Sequence, residues 1–155
     1  MAGASAENHW EIRVERRVPL KRHVAYHILT ERIAEWWWHP SSLPVSDVLV
    51  DWRANGVFQA KAEGSDVLQE GIVLEKRPGW YFYITDALRY SGRPGTPSMV
   101  GCWCMGSSDG GCSEHLAVIR HFSEDDYLRN VALGLEQGWN DAADRFVKLC
   151  EAGAL

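Results

Sequence analysis

The chain has 155 residues, 46% hydrophobic and 24% charged, with a net charge of −5 from 16 basic and 21 acidic side chains. That is enough chain for one domain with an unstapled core, and the balance excludes a disordered or fibrous protein. Apolar runs such as 45–50, interrupted by Asp47, are too short for a membrane span, and the scattered basic residues, broken at Glu15 in their densest stretch (13–22), lack the face that grips nucleic-acid phosphates.

The opening ten residues have neither a basic n-region nor an apolar h-region, which predicts a cytoplasmic protein. Residues 1–9 read as a flexible lead-in and 10–155 as a single domain. Residues 10–18 alternate apolar and polar, the pattern of a half-buried strand. Pro19 ends that ladder and suits the first turn of a helix carrying Leu20, Val24, Ile28 and Leu29. Thr30 is the expected cap of a second short helix with Ile33, Trp36 and Trp37, closed by Pro40 and Pro44.

From there the period changes to strands punctuated by turns. Strands are expected over 45–53 and 56–62, joined at Asn55-Gly56, a strong hairpin dipeptide. A turn over 63–66 leads to a strand over 67–76, a turn over 77–79, and a strand over 80–87. Residues 91–97 are a loop by composition. Strands 98–107 and 112–122 form a hairpin around Asp109-Gly110. Ser123, with Asp126 three residues on, marks the start of a final helix. Its stripe of Leu128, Val131, Leu135, Trp139, Ala142, Phe146 and Leu149 predicts roughly 25 helical residues, about 38 Å, bent at Gly134 or Gly138. The expected architecture is α+β of the helix-grip type. A curved antiparallel sheet of six to seven strands wraps a long C-terminal helix, with two short helices after strand 1.

Four stretches carry a family resemblance. They are Leu29-Thr-Glu-Arg-Ile-Ala-Glu-Trp-Trp37, Asp51-Trp-Arg-Ala-Asn-Gly-Val-Phe58, Gly71-Ile-Val-Leu-Glu-Lys-Arg-Pro78 with the strand after it, and Gly138-Trp139 with Phe146-Val-Lys-Leu149. In this order, over residues 15–151, they resemble domains homologous to the activator of the 90-kDa heat-shock chaperone's ATPase. Those domains belong to the START-like superfamily, with the birch-pollen allergens and polyketide cyclases. Asn55 replaces the first of the family's paired glycines, and the 112–122 strand lacks its Gly-Thr-Arg start. The resemblance implies the same fold. It also implies one of three roles: binding a small hydrophobic or amphipathic molecule, regulating a chaperone, or cyclase- or dehydratase-like catalysis.

Eight tryptophans are present. Trp36, Trp37 and Trp38 cannot all enter a core from one helix, because successive residues point about 100° apart. Either two are core and one is partly exposed, or the group forms an aromatic wall for a ligand. The ligand-binding candidates are Trp36 and Trp37, joined by Phe58, Phe82 and Trp139 at positions matching those that line the family's sheet–helix space. All five are also ordinary core residues. The four cysteines, Cys102, Cys104, Cys112 and Cys150, are expected as free thiols. A tight turn at Asp109-Gly110 would set Cys104 opposite His115 with Cys102 on the same face. That is three soft ligands without a fourth, so no metal is expected. His23 and His27 share a helix face with no carboxylate partner and read as surface residues. Glu70, Asp86, Arg89, His115 and His121 are the titratable candidates for acid–base work. Against that stands a solvent-facing rim for Glu70 and Arg89, and a contact with the last helix for His121. No triad is formed. The leading expectation is therefore a non-catalytic domain holding a small apolar molecule, without a cofactor, nucleic acid or membrane. A chaperone-type partner and a homodimer are the alternative associations.

Overall fold

The computed structural model describes residues 10–39, 45–62, 67–88 and 99–154. The N-terminal lead-in, Pro40 and Pro44, the turn over 63–66, Arg89 and the 91–97 loop lie outside those residues. The described strands are β1 (Glu11–Val18), β2 (Val45–Val50), β3 (Val57–Ala62), β4 (Val67–Arg77), β5 (Tyr81–Thr85), β6 (Met99–Ser107) and β7 (Ser113–His121). Helices α1 (Arg22–Glu31) and α2 (Ile33–Trp36) follow β1, and α3 (Glu124–Ala132) and α4 (Leu135–Gly153) close the chain. The strands form one antiparallel sheet in the order β1-β7-β6-β5-β4-β3-β2. Helix α4 crosses it on β1 and touches α1, α2 and α3, so the architecture is the helix grip that the sequence predicts.

Alternation decides which face of each strand turns inward. In β1 Ile12, Val14 and Val18 are buried while Arg13, Glu15 and Arg17 are exposed. Across the sheet, Phe58 stands opposite Gly71, Ala60 opposite Gln69, Phe82 opposite Trp103 and Trp103 opposite Ala117. Directly opposed residues share a face, so these side chains point toward the helices. Arg16 joins the layers: it pairs with Asp144 at 2.9 Å and reaches Asn140 Oδ1 at 3.0 Å, both on α4.

Local chemistry departs from expectation in four places. Helix α1 begins at Arg22, after Pro19 rather than around it. Thr30 lies inside α1 and returns its hydroxyl to the Tyr26 carbonyl at 3.0 Å, leaving Arg32 as the α2 cap; a mid-helix threonine satisfies itself in this way. The last helix is two helices. Ser123 caps α3 as predicted, its Oγ accepting the Asp126 N–H at 3.1 Å, but the chain turns at Gly134, which has φ +79°. Glycine takes that left-handed conformation without the Cβ penalty. The break re-aims α3, so Leu128 is 52% exposed and Val131 37%, while Asn130 is fully buried.

The fourth departure is the β6–β7 connection. A 3₁₀ turn at Asp109–Gly111 replaces the two-residue turn, so Met105 opposes His115 and Cys104 opposes Leu116. A one-residue change of register exchanges the two faces of a strand. His115 therefore turns inward and the Cys102–Cys104 pair outward, and the three soft ligands do not converge. Among the described residues no three His, Cys, Asp or Glu side chains are grouped to hold a metal ion.

Candidate functional site at the polar end of an aromatic interior

The interior between sheet and helices is built on tryptophan. Helix α2 ends at Trp36, and Trp37 takes an extended conformation (φ −54°, ψ 151°). Both indoles then enter the core, while Trp38 stays partly exposed. Trp37 is the hub. Its ring lies 4.7 Å from Phe58, 4.8 Å from Trp103 and 5.0 Å from Trp139. Phe82 stacks on Trp103 at 5.3 Å. The glycine at 101 makes room for that ring: a Cβ there would stand 2.2 Å from Trp103. Gly138 does the same for Trp38, whose indole nitrogen would be 2.1 Å from a Cβ.

The five residues named from sequence, Trp36, Trp37, Phe58, Phe82 and Trp139, are thus all buried in one cluster. They pack on one another as well as on their neighbours, mostly through tilted and edge-on ring contacts, and they form an aromatic floor. Trp103 belongs at its centre although nothing in the sequence singled it out. Two backbone acceptors fix the floor: Trp36 Nε1 donates to the Leu29 carbonyl at 3.0 Å, and Arg145 of α4 donates to the Trp37 carbonyl at 3.0 Å.

One end of this floor is polar. Trp37 Nε1 donates to Gln69 Oε1 at 3.0 Å, and the Gln69 amide in turn bonds the Asp86 carboxyl. Asp86 Oδ1 also accepts the Met99 N–H at 2.8 Å, holding the start of β6 to the end of β5. Burial raises the Asp86 pKa to about 7, against the pull of these hydrogen bonds, and Asp126 on α3 adds to the rise. Met99 pairs with His121 in the sheet. His121 takes the Trp10 carbonyl on Nδ1 at 2.7 Å, rather than the start of the last helix, and packs edge-on against Tyr127 of α3. Asp126 and Tyr127 of α3 thus belong to the same end as Asp86 and His121, and Asn130 follows about one turn further along the same helix.

Asn130 is the anomaly. Its side chain is fully buried, yet neither its amide nitrogen nor its amide oxygen has a hydrogen-bond partner among the described residues. The same holds for Trp139 Nε1 and His121 Nε2. A buried polar group left unpaired costs about 1–3 kcal/mol, and native interiors contain few of them. The other titratable candidates fall elsewhere. Glu70 opposes Gln59 on the outer face, His23 and His27 are exposed on α1, and His115 is deep in the core under Phe146. Burial drops the His115 pKa to about 4, so the ring is neutral, and its Nδ1 stands 3.0 Å from the Cys104 carbonyl.

No protein-family model matches the chain, and no curated protein matches its sequence. Solved structures do match its shape. Protein NE0264 from Nitrosomonas europaea has a TM-score of 0.79 at 20% identity, over 94% of this chain and 97% of that one. Protein MLL2253 from Mesorhizobium loti has 0.73 at 18% identity, over 94% and 99%. Protein Ms6760 from Mycobacterium smegmatis has 0.69 at 16% identity, over 92% and 91%. At these identities the likeness is one of fold. No helix among the described residues is long and apolar enough to cross a membrane.

Proposed function

We propose that this domain binds a small amphipathic molecule between the sheet and the C-terminal helices. Its apolar body rests on the Trp37–Trp103–Trp139 floor and its polar head meets Asn130. The observation that carries this reading is Asn130 itself, fully buried with both amide atoms unpartnered among the described residues. An amide offers one acceptor and two donors. Asp86 and Asp126 disfavour an anionic head at this end, and an amide with both a donor and an acceptor to satisfy suits an uncharged hydroxyl, carbonyl or amide. The order of the four motifs, together with the fold, supports membership of the chaperone-ATPase-activator homology family within the START-like superfamily.

The test is a titration with N-phenyl-1-naphthylamine, an uncharged amphipath with one N–H. Saturable binding near one per chain in the wild type, weakened about two- to tenfold in a folded Asn130→Leu variant, supports the reading. Equal binding in both overturns it.

One observation favours a second reading, acid–base catalysis of the cyclase or dehydratase kind. Asp86, with a pKa of about 7, is poised to hold or release a proton at neutral pH. Asp86→Asn separates the two readings, because an enzyme stalled at this step retains a different bound molecule from the wild type, whereas a carrier retains the same one.

A further inference from the structure

We propose that Cys102 and Cys104 form an oxidisable dithiol, which a hydroperoxide closes to a reversible disulfide on the outer face of β6. This is independent of the interior site, because Trp103 between them points inward and the two thiols therefore point out. Their sulfurs stand 3.1 Å apart. Residues two apart on a strand are separated by about 6.8 Å, at the upper end of the roughly 4.4–6.8 Å that disulfides span. The bond is within reach, and the stretch makes it easy to reduce.

The surroundings divide the work between the two sulfurs. The Tyr83 hydroxyl, on β5 opposite Cys102, hydrogen-bonds the Cys102 sulfur, and the two thiols share a hydrogen bond. That hydrogen bond, with the Arg120 and Arg13 guanidiniums nearby, holds the Cys104 pKa below the ordinary thiol value, while the Cys102 pKa is pushed up. Arg120 and Arg13 are themselves paired with Glu11 and Glu15. Cys104 is the part-exposed member and Cys102 the buried one. This is the arrangement of an attacking thiolate beside a resolving thiol.

In the first step the Cys104 thiolate attacks one oxygen of the hydroperoxide. The O–O bond breaks, the alcohol leaves with a proton, and Cys104 becomes a sulfenic acid. Cys102 then attacks that sulfur and expels hydroxide, which departs as water with the Cys102 proton. Two thiols and one hydroperoxide give one disulfide, one alcohol and one water. The thiols lose two electrons and the O–O bond gains them.

The experiment treats the folded protein with equimolar hydrogen peroxide and maps the peptides by mass. Cys112, also part-exposed, is the internal control. We expect the peptide holding both cysteines to lose two hydrogens at least tenfold faster than Cys112 reacts, with dithiothreitol reversing the loss. In Cys102→Ser the reaction stops at a Cys104 sulfenic acid that dimedone traps. Oxidation of Cys104 at the rate of Cys112, or its passage to sulfinic acid without a link to Cys102, would overturn the proposal. The wild-type result decides even if a serine variant folds poorly.

Discussion

Replacing Asn130 with leucine separates a structural role from a binding role. If Asn130 serves the fold, leucine removes hydrogen bonds and the protein weakens. If it serves a ligand, the ligand-free protein carries an unmade set of hydrogen bonds costing about 1–3 kcal/mol. Leucine, of similar volume, relieves that cost at a fully buried site. For a chain of this size 1 kcal/mol moves the melting temperature by about 2–4 °C, so the ligand-free variant should melt about 2–12 °C higher. Binding should move the other way: losing the hydrogen bond that the probe's single N–H gives Asn130, at about 0.5–1.5 kcal/mol, weakens affinity about two- to tenfold. Calorimetric melting of protein stripped of bound molecules, paired with the N-phenyl-1-naphthylamine titration, reads both. A variant that melts several degrees lower and binds as tightly as the wild type would refute the reasoning.

Two buried groups oppose each other in acid. Asp86 is raised from 3.8 to about 7, so its contribution to stability is full below pH about 4 and is lost as pH climbs to about 7, a change of up to about 4 kcal/mol. His115 is lowered from 6.5 to about 4, so its contribution is present above pH about 6.5 and is lost as pH falls to about 4, up to about 3 kcal/mol. The wild type should therefore be nearly flat between these limits, while Asp86→Asn becomes acid-labile; parallel pH–stability curves in urea would contradict this. Gly101→Ala should cost about 1–3 kcal/mol, because its Cβ would stand 2.2 Å from the Trp103 ring and an overpacked core resists. A melting temperature equal to wild type, with unchanged tryptophan fluorescence, would show that the ring moves freely. Trp103→Ala should cost about 3–5 kcal/mol, and a loss below 1 kcal/mol in chemical denaturation would remove Trp103 from the centre of the floor.

Most of the fold was legible because it rests on local rules. Alternation in β1, the Ser123 cap and the hairpin signal at Asn55-Gly56, whose loop runs wider than the dipeptide between Val50 and Val57, each act within a few residues, and their sum leaves little freedom in topology. The tryptophan triplet was half legible. Helical geometry forbids burying all three, but the release of Trp37 into an extended conformation, which admits two, depends on where α2 stops. Faces that hinge on one residue were not legible: the three-residue turn at Asp109–Gly111 puts the His115 ring on the face opposite the Cys104 thiol, and the dipeptide Asp109-Gly110 gives no warning of it. Burial of Asn130 is not legible in the apolar stripe, which continues straight through Gly134. A glycine inside a long helical period was the available signal, since a left-handed turn there rotates every position before it. Trp103 was overlooked for a related reason. Its two flanking cysteines drew attention as metal ligands, whereas alternation alone would have set it inward between two outward thiols.

The central claim is that the interior holds a molecule whose head meets Asn130. Native mass spectrometry of wild type and Asn130→Leu, both purified gently from the protein's own host and then released under denaturing conditions, tests it most directly. We expect one uncharged-headed amphipathic molecule per wild-type chain and a markedly lower occupancy on the variant. A wild type that emerges empty, with the exposed Phe122, Leu128 and Leu133 instead carrying a co-purified protein, would contradict it in favour of a partner-binding role.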